Sequence, residues 1–255
     1  MAKIISWNLL RLTGASLGDV AALVRRERPD LLLMQEATEA MNALPDLVGG
    51  WYRREPLPGR IHGLAAWSPS PLPPPVVVPL PPGAMFRRVG QVLDLGAFAV
   101  ANVHLSHGQF LNRRQLRRLA EALPERAAIL GDYNLVGPAL LPGFRDVGPR
   151  EPTHAAAEVV PLRLDRCLVR GLACGGARAL GRETSDHRPI VVRLEVAARE
   201  ERRAWPRAGA LMGDLRRVAE RGEARVRALS ARRDRSVAGD AREDGAARRV
   251  AGRPG

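Results

Sequence analysis

The chain has 255 residues and two cysteines. That allows one or two domains at roughly 150 residues each, and leaves too few thiols for a disulfide framework or a structural zinc cluster. No window approaches the roughly 18–20 consecutive apolar residues of a membrane span, and Met1-Ala2-Lys3 leads straight into a strand-like run without a long apolar stretch and cleavage site. A soluble, cytoplasmic protein resting on a hydrophobic core, with no stable membrane insertion, is the expectation. The net charge of +13 points towards a polyanionic partner. However, residues 199–255 hold 16 arginines and 9 acids, which leaves only +6 for residues 1–198. Lys3 is the single lysine among 40 basic residues, a bias that coding composition also produces.

Lys3-Ile4-Ile5-Ser6-Trp7-Asn8 reads as a buried strand, and Leu17, Val20, Ala21 and Val24 recur at helical spacing behind Ser16, an available N-cap. Pro29 closes that helix. Asp30 to Glu36 is a continuous apolar run with a polar end, the pattern of a strand buried on both faces, with Glu36 at its C-terminal edge. A helical stretch near 38–47 precedes two strands, 51–53 and 63–67. Residues 69–82 contain eight prolines, so they form an extended surface crossing or an edge element. Residues 87–95 and 98–105 form a hairpin around Gly96, and Leu111, Gln115, Leu116, Leu119 and Leu123 trace a helix stripe that Pro124 stops. Short strands at 127–131, 163–169 and 188–196 complete the set. Residues 1–198 thus make one strand-rich domain. Past Ala197 the composition shifts to Arg, Ala, Glu and Gly, so residues 199–255 are expected to be a disordered or loosely helical tail.

Polar residues collect at the strand ends. Asp132 and Asn134 flank Tyr133 directly after an apolar run, and strand alternation would send both to one side. Asp186 and His187 stand together just before Ile190-Val191-Val192. Asn8, Glu36 and His104 lie in or at the ends of apolar strands, where an unpaired polar group costs roughly 1–3 kcal/mol. A hard divalent cation held by oxygen ligands such as Glu36, Asp186 and Asn8 would satisfy them, and magnesium prefers such ligands. Asp165 is an acid within another apolar strand and needs a partner, for which a histidine would serve. Cys167, two residues on, reads as an inert core residue.

The order of these motifs carries more than any one of them. Ser6-Trp7-Asn8, Gln35-Glu36, Asn102-Val103-His104-Leu105, Gly131-Asp132-Tyr133-Asn134, Leu164-Asp165-Arg166 and Ser185-Asp186-His187-Arg188-Pro189 together resemble the endonuclease/exonuclease/phosphatase superfamily, across residues 6–189. The resemblance implies an α/β (α+β) four-layered sandwich, two mixed β-sheets packed face to face with helices outside and the active site at one end. It also implies magnesium, or manganese in its place, bound by Glu36 with Asn8 and Asp186. His187 would be the general base or contact the phosphate, and Asp165 would orient it. Asp132 and Asn134 would position water and a phosphate oxygen, while His104 would assist the phosphate or the leaving group. Asn102-Val103-His104-Leu105 stands where abasic-site endonucleases usually carry a Tyr and an Asn-Gly element, so the chain looks closer to the His-containing branch.

The implied function is hydrolysis of a phosphate ester, with DNA or RNA slightly favoured. The enzyme alternative is a phosphatase or phospholipase-type diesterase acting on an inositol phosphate, phospho-sugar or lipid head group. A third reading, a catalytically idle nucleic-acid-binding domain, gives no reason to keep all eight polar residues. Aromatic residues make up only 4% of the chain, which leaves few platforms for stacking bases. Arg113, Arg114, Arg117 and Arg118 could line a rim of the site or simply form a solvated helix face.

Overall fold

A computed structural model of the chain describes residues 1–83, 87–156 and 160–198, so the expected tail at 199–255 lies outside the described residues. Two mixed six-stranded sheets dominate it. In the first, β1 (Ala2–Asn8) and β2 (Leu31–Thr38) are parallel and joined through α1 (Leu17–Glu27). Antiparallel partners flank them: β4 (His62–Ser68) and β3 (Trp51–Pro56) on one side, β14 (Ile190–Val196) and β13 (Leu172–Ala179) on the other. The second sheet is wired in the same way. Its parallel pair, β7 (Ala99–His104) and β8 (Ala127–Asp132), is joined through α3 (Gln109–Ala122). It is flanked by β6 (Val89–Asp94) and β5 (Val76–Pro79), and by β12 (Asp165–Arg170) and β9 (Arg145–Asp146). A hairpin of β10 (His154–Ala156) and β11 (Val160–Leu162) stands apart from both sheets.

Strand alternation sorts the core into three apolar layers. Ile4, Leu31, Leu33, Val192 and Leu194 face Leu93, Val100, Ala128, Leu130 and Cys167 between the sheets. Ile5, Trp7, Leu32 and Met34 point the other way, against Val20, Leu23 and Val24 of α1 and Leu44 of the short α2 (Leu44–Val48). On the far side Ala101, Val103 and Ile129 pack under Leu116 and Leu119 of α3. The result is the expected sandwich with helices outside.

Several local expectations hold with their physical causes. Ser16 caps α1 in a reciprocal capping box with Asp19. The proline-rich segment supplies β5, an edge strand, where a missing N–H costs no ladder bond. The helical stretch near 38–47 is instead a 3-10 turn, Glu39–Ala43, followed by one α-turn, because Pro45 can sit only at a helix start.

Between the sheets, directly beneath the strand ends, lies a fully buried amide seam. Gln35 Nε2 donates to Ser6 Oγ at 3.0 Å and to Asn102 Oδ1 at 2.7 Å. Asn102 Nδ2 donates to Met34 O, Ala65 O and Gln91 Oε1. The bonds of Asn102 to Gln35, Met34 O and Ala65 O cross from one sheet to the other and fix their relative register, which hydrophobic packing alone leaves undirected.

Candidate active site

His104, Asp132 and Asp165 are the end residues of three neighbouring strands, and the ladders place them level: His104 pairs with Asp132, and Asp132 with Asp165. All three fall in the inward register of Val100, Leu130 and Cys167, so their side chains enter the space between the sheets where it opens to solvent. Asn8, the last residue of β1, enters from the opposite sheet in the register of Ile4. Gly131 makes this possible, with φ at 141° and an added Cβ only 1.9 Å from the Val103 carbonyl oxygen. No other residue type fits there.

Glu36 arrives by a different route. Strict alternation along β2 would turn it outward with Leu32 and Met34. A bulge between Met34 and Ala37 inserts one extra residue, with Glu36 at φ 57°, and Glu36 lines the cavity instead. The strand then runs on to Thr38, so Glu36 is not at its end, as expected from sequence, but at a kink within it. Asn134 also departs from expectation. The strand stops at Asp132, and Asn134, at φ 47°, folds back so that its N–H donates to Asp132 Oδ1 at 2.8 Å and its Nδ2 lies 3.3 Å from Oδ2. A turn rather than strand alternation brings the two together.

The centre is a buried chain of acids and imidazoles. His187 Nδ1 lies 2.8 Å from Asp165 Oδ2, and His187 Nε2 lies 3.8 Å from Asp132 Oδ2. Asp132 accepts from Asn8 Nδ2 at 3.0 Å and stands 3.4 Å from His104 Nε2. The backbone around His187 is pinned on two sides: Trp7 Nε1 donates to its carbonyl and its N–H donates to Ser185 Oγ, which in turn donates to the Asn8 carbonyl.

Electrostatics separates the groups. Burial opposes a charge on His187, but Asp165, with help from Asp132 and Asp186, pushes its pKa up to about 10. That imidazole is a cation at neutral pH. His104 is held well below the ordinary histidine value by burial and by the charge of Arg88, so it is neutral. Burial raises the pKa of Asp132, and the nearby Asp165 adds to the shift against the pull of His187. Burial likewise raises Glu36, which Arg11 and Arg88 partly offset. The Arg11–Glu36 contact is long, at 3.8 Å. A desolvated carboxylate facing an open cavity is a fitting ligand for a hard cation.

All eight expected residues line one cavity or join the cluster on its wall. The cavity, of about 480 Å³, is lined by Asn8, Glu36, His104, Asp132, Asn134, Asp186 and His187, with Asp165 behind His187. Ligand atoms of Asp132, Asp165 and His187 lie within 4.8 Å of one another, as do those of His154, Asp186 and His187. Glu36 belongs to neither group.

Sequence reasoning missed His154, whose Nε2 lies 3.2 Å from Asp186 Oδ2 and whose ring is 4.5 Å from that of His187. It missed Arg11, His62, Arg88 and His107 as well. One signal was in reach: the chain has five histidines, and all five line this cavity. By contrast, none of Arg113, Arg114, Arg117 and Arg118 lines it. Cys167 is buried in the intersheet core, where burial raises its pKa far above the usual thiol value, as an inert residue requires.

A sandwich of two mixed sheets with acids and imidazoles converging at one end defines a phosphoesterase-type fold. The sequence model described as the Endonuclease/Exonuclease/phosphatase family matches residues 5–187, and the chain belongs to that family. Its members are metal-dependent hydrolases of phosphoester bonds. Among solved structures, the chain is similar to an endonuclease/exonuclease/phosphatase from Bacteroides vulgatus at 15% identity and TM-score 0.65, covering 77% of this chain and 99% of that one. It is similar to a mannosyl-6-phosphatase from Bacteroides thetaiotaomicron VPI-5482 at 16% identity and TM-score 0.62, covering 76% and 100%. A humanized D. rerio TDP2 follows at 19% identity and TM-score 0.60, covering 76% and 99%. No curated protein matches the sequence. These likenesses concern the fold.

Proposed function

We propose that the chain is a metal-dependent phosphodiester hydrolase in which Asp132 accepts the proton of the attacking water. The observation that carries this reading is the buried chain from Asp165 through His187 to Asp132. Asp132 is anchored by Asn8 and Asn134, so its carboxylate is fixed before substrate arrives. Its raised pKa makes it a better proton acceptor than an ordinary aspartate. His187, kept cationic by Asp165, donates through Nε2 to a phosphoryl oxygen as negative charge builds there. His104 is neutral and donates to the phosphate or the leaving oxygen.

Glu36, Asn8 and Asp186 would hold the divalent cation, magnesium or manganese, with solvent completing its shell. When bound, the ion polarises the phosphoryl oxygen as a Lewis acid. Asn8 supports both halves of this reading, since its Nδ2 orients Asp132 while its Oδ1, which accepts from the Leu10 N–H at 3.1 Å, has a second lone pair for an ion.

For substrate, the charge of the domain supports DNA or RNA, and the open mouth supports a head group carried on a larger surface. The segments around the mouth favour the second. The test is a panel of plasmid DNA, abasic duplex, RNA, bis-p-nitrophenyl phosphate and inositol phosphates, run with magnesium, manganese or chelator beside Glu36→Ala. Turnover that vanishes in chelator and in the variant is expected. Turnover that survives both overturns the proposal.

A further inference from the structure

Four segments at the active-site end, residues 9–16, 57–61, 135–144 and 105–114, the last running into the first turn and a half of α3, contain four arginines, Arg11, Arg60, Arg113 and Arg114, and no acidic residue. The same segments carry large apolar side chains in solvent: Leu12 is 75% exposed, Ile61 59%, Phe110 85% and Val136 56%. Each lies on or close to the cavity wall in sequence, since Arg11, His62, His107 and Val136 itself line the cavity. Ordinary surface loops are polar, and an exposed aliphatic side chain beside an arginine on two separate loops, Arg11-Leu12 and Arg60-Ile61, is not a packing requirement of this fold. Other segments at this end are mixed in charge: Glu39 follows β2, Arg87 and Arg88 precede β6, and residues 147–154 and 180–189 carry Glu151, Glu183 and Asp186 beside Arg150, Arg182 and Arg188.

We infer that this part of the rim docks on an anionic phospholipid surface and presents a lipid head group to the cavity. The pattern fits such a surface in two respects. Aliphatic side chains enter the boundary between head groups and acyl chains, and arginines a residue or a turn away meet the phosphates above it. A nucleic acid would reward the arginines but not Leu12, Ile61 or Val136, which have no face on which a base can stack. Phe110 is the one aromatic in the set. The inference rests on the hydrolase reading only for the head group, and the docking itself is independent of it.

The test uses the full chain and sedimentation with vesicles of phosphatidylcholine alone or with 30% phosphatidylserine, about the composition of an acidic leaflet. Three proteins are compared: the parent, Leu12→Asp/Ile61→Asp/Phe110→Asp, and Val76→Asp, which alters an exposed apolar residue of the edge strand β5. The expected result is binding of the parent to the acidic vesicles, loss by about tenfold or more in the triple variant, and no change in Val76→Asp. Turnover of bis-p-nitrophenyl phosphate should be the same in all three. Vesicle binding unchanged in the triple variant overturns the inference. So does a parent that ignores vesicles, in particular if the triple variant instead loses affinity for an oligonucleotide, which would assign the rim to nucleic acid. Failure of bis-p-nitrophenyl phosphate turnover in the parent would count against the hydrolase reading and leave the docking result standing.

Discussion

The two sheets share one wiring, a central parallel pair crossed by a helix and flanked by antiparallel partners, yet they bring different chemistry to the mouth. The second sheet delivers His104, Asp132 and Asp165 as a level row of strand ends, a rigid acid–base edge. The first sheet delivers Asn8 from a strand end and Glu36 from a bulge, the side on which an ion would sit. In the proposed mechanism the second sheet would accept the proton and the first would hold the ion, with His187 reaching the acids from the loop that leads into β14. Both sheets contribute strand residues to the site, and the bonds of Asn102 to Gln35, Met34 and Ala65 hold the sheets in register.

The most severe break should come from Asp132→Asn, which keeps the side chain's shape but removes the proton acceptor and turns one of its two accepting oxygens, facing Asn134 N–H and Asn8 Nδ2, into a donor. Turnover is expected to fall about 1,000-fold, as measured by bis-p-nitrophenyl phosphate kinetics, with calorimetry to show that the variant still folds. His187→Ala should cost at least about 100-fold in rate, and near-normal turnover would remove His187 from the chemistry. His187 also has a signature in stability. Its folded pKa, about 10, lies above the unfolded value near 6.5. The ion pair therefore stabilises fully below about pH 6.5, and that contribution is lost as pH rises through about 10. Denaturant titrations of the parent and Asp165→Asn should converge at high pH. A gap that persists there would mean that the pair is not the source.

Asn102→Ala tests the seam. It removes the partner of Gln91 Oε1 and the Gln35–Asn102 bond across the sheets, leaving Gln35 its bond to Ser6, at an expected cost of about 1–3 kcal/mol read from denaturant midpoints, with the rate falling because the sheets lose register. A smaller effect concerns His62, which burial and the neighbouring Arg11, Arg88 and Arg60 bring down to about 4. A histidine kept neutral in the fold stabilises above its unfolded pKa, and that stability is lost as pH falls from about 6.5 towards 4. His62→Phe should flatten the stability profile there by up to about 1.4 kcal/mol per pH unit.

The second sheet was more legible in the sequence than the first. His104, Asp132 and Asp165 end or begin apolar runs, so alternation alone gives their direction. Glu36 was found by its place after the apolar run, but its orientation depends on the bulge, and a one-residue slip leaves no mark in hydrophobic periodicity. Asn134 was paired with Asp132 correctly, though the cause is a turn. His154 was invisible because it sits on a hairpin belonging to neither six-stranded sheet, and only the folded chain brings it to Asp186 and His187. The edge strand β13 was passed over because its Leu-Ala-Cys-Gly-Gly-Ala-Arg-Ala run lacks the apolar alternation of a buried strand. Charge, the loudest feature of the composition, was the weakest guide to the site, whose core is acids, amides and imidazoles.

The division of labour between the sheets is tested most directly by measuring Mn2+ binding, by electron paramagnetic resonance, together with turnover in Glu36→Gln and Asp132→Asn. Glu36→Gln is expected to lose the bound ion and turnover together, whereas Asp132→Asn keeps Mn2+ affinity close to that of the parent and loses turnover alone. Loss of the ion in Asp132→Asn, with the ion retained in Glu36→Gln, would contradict this division.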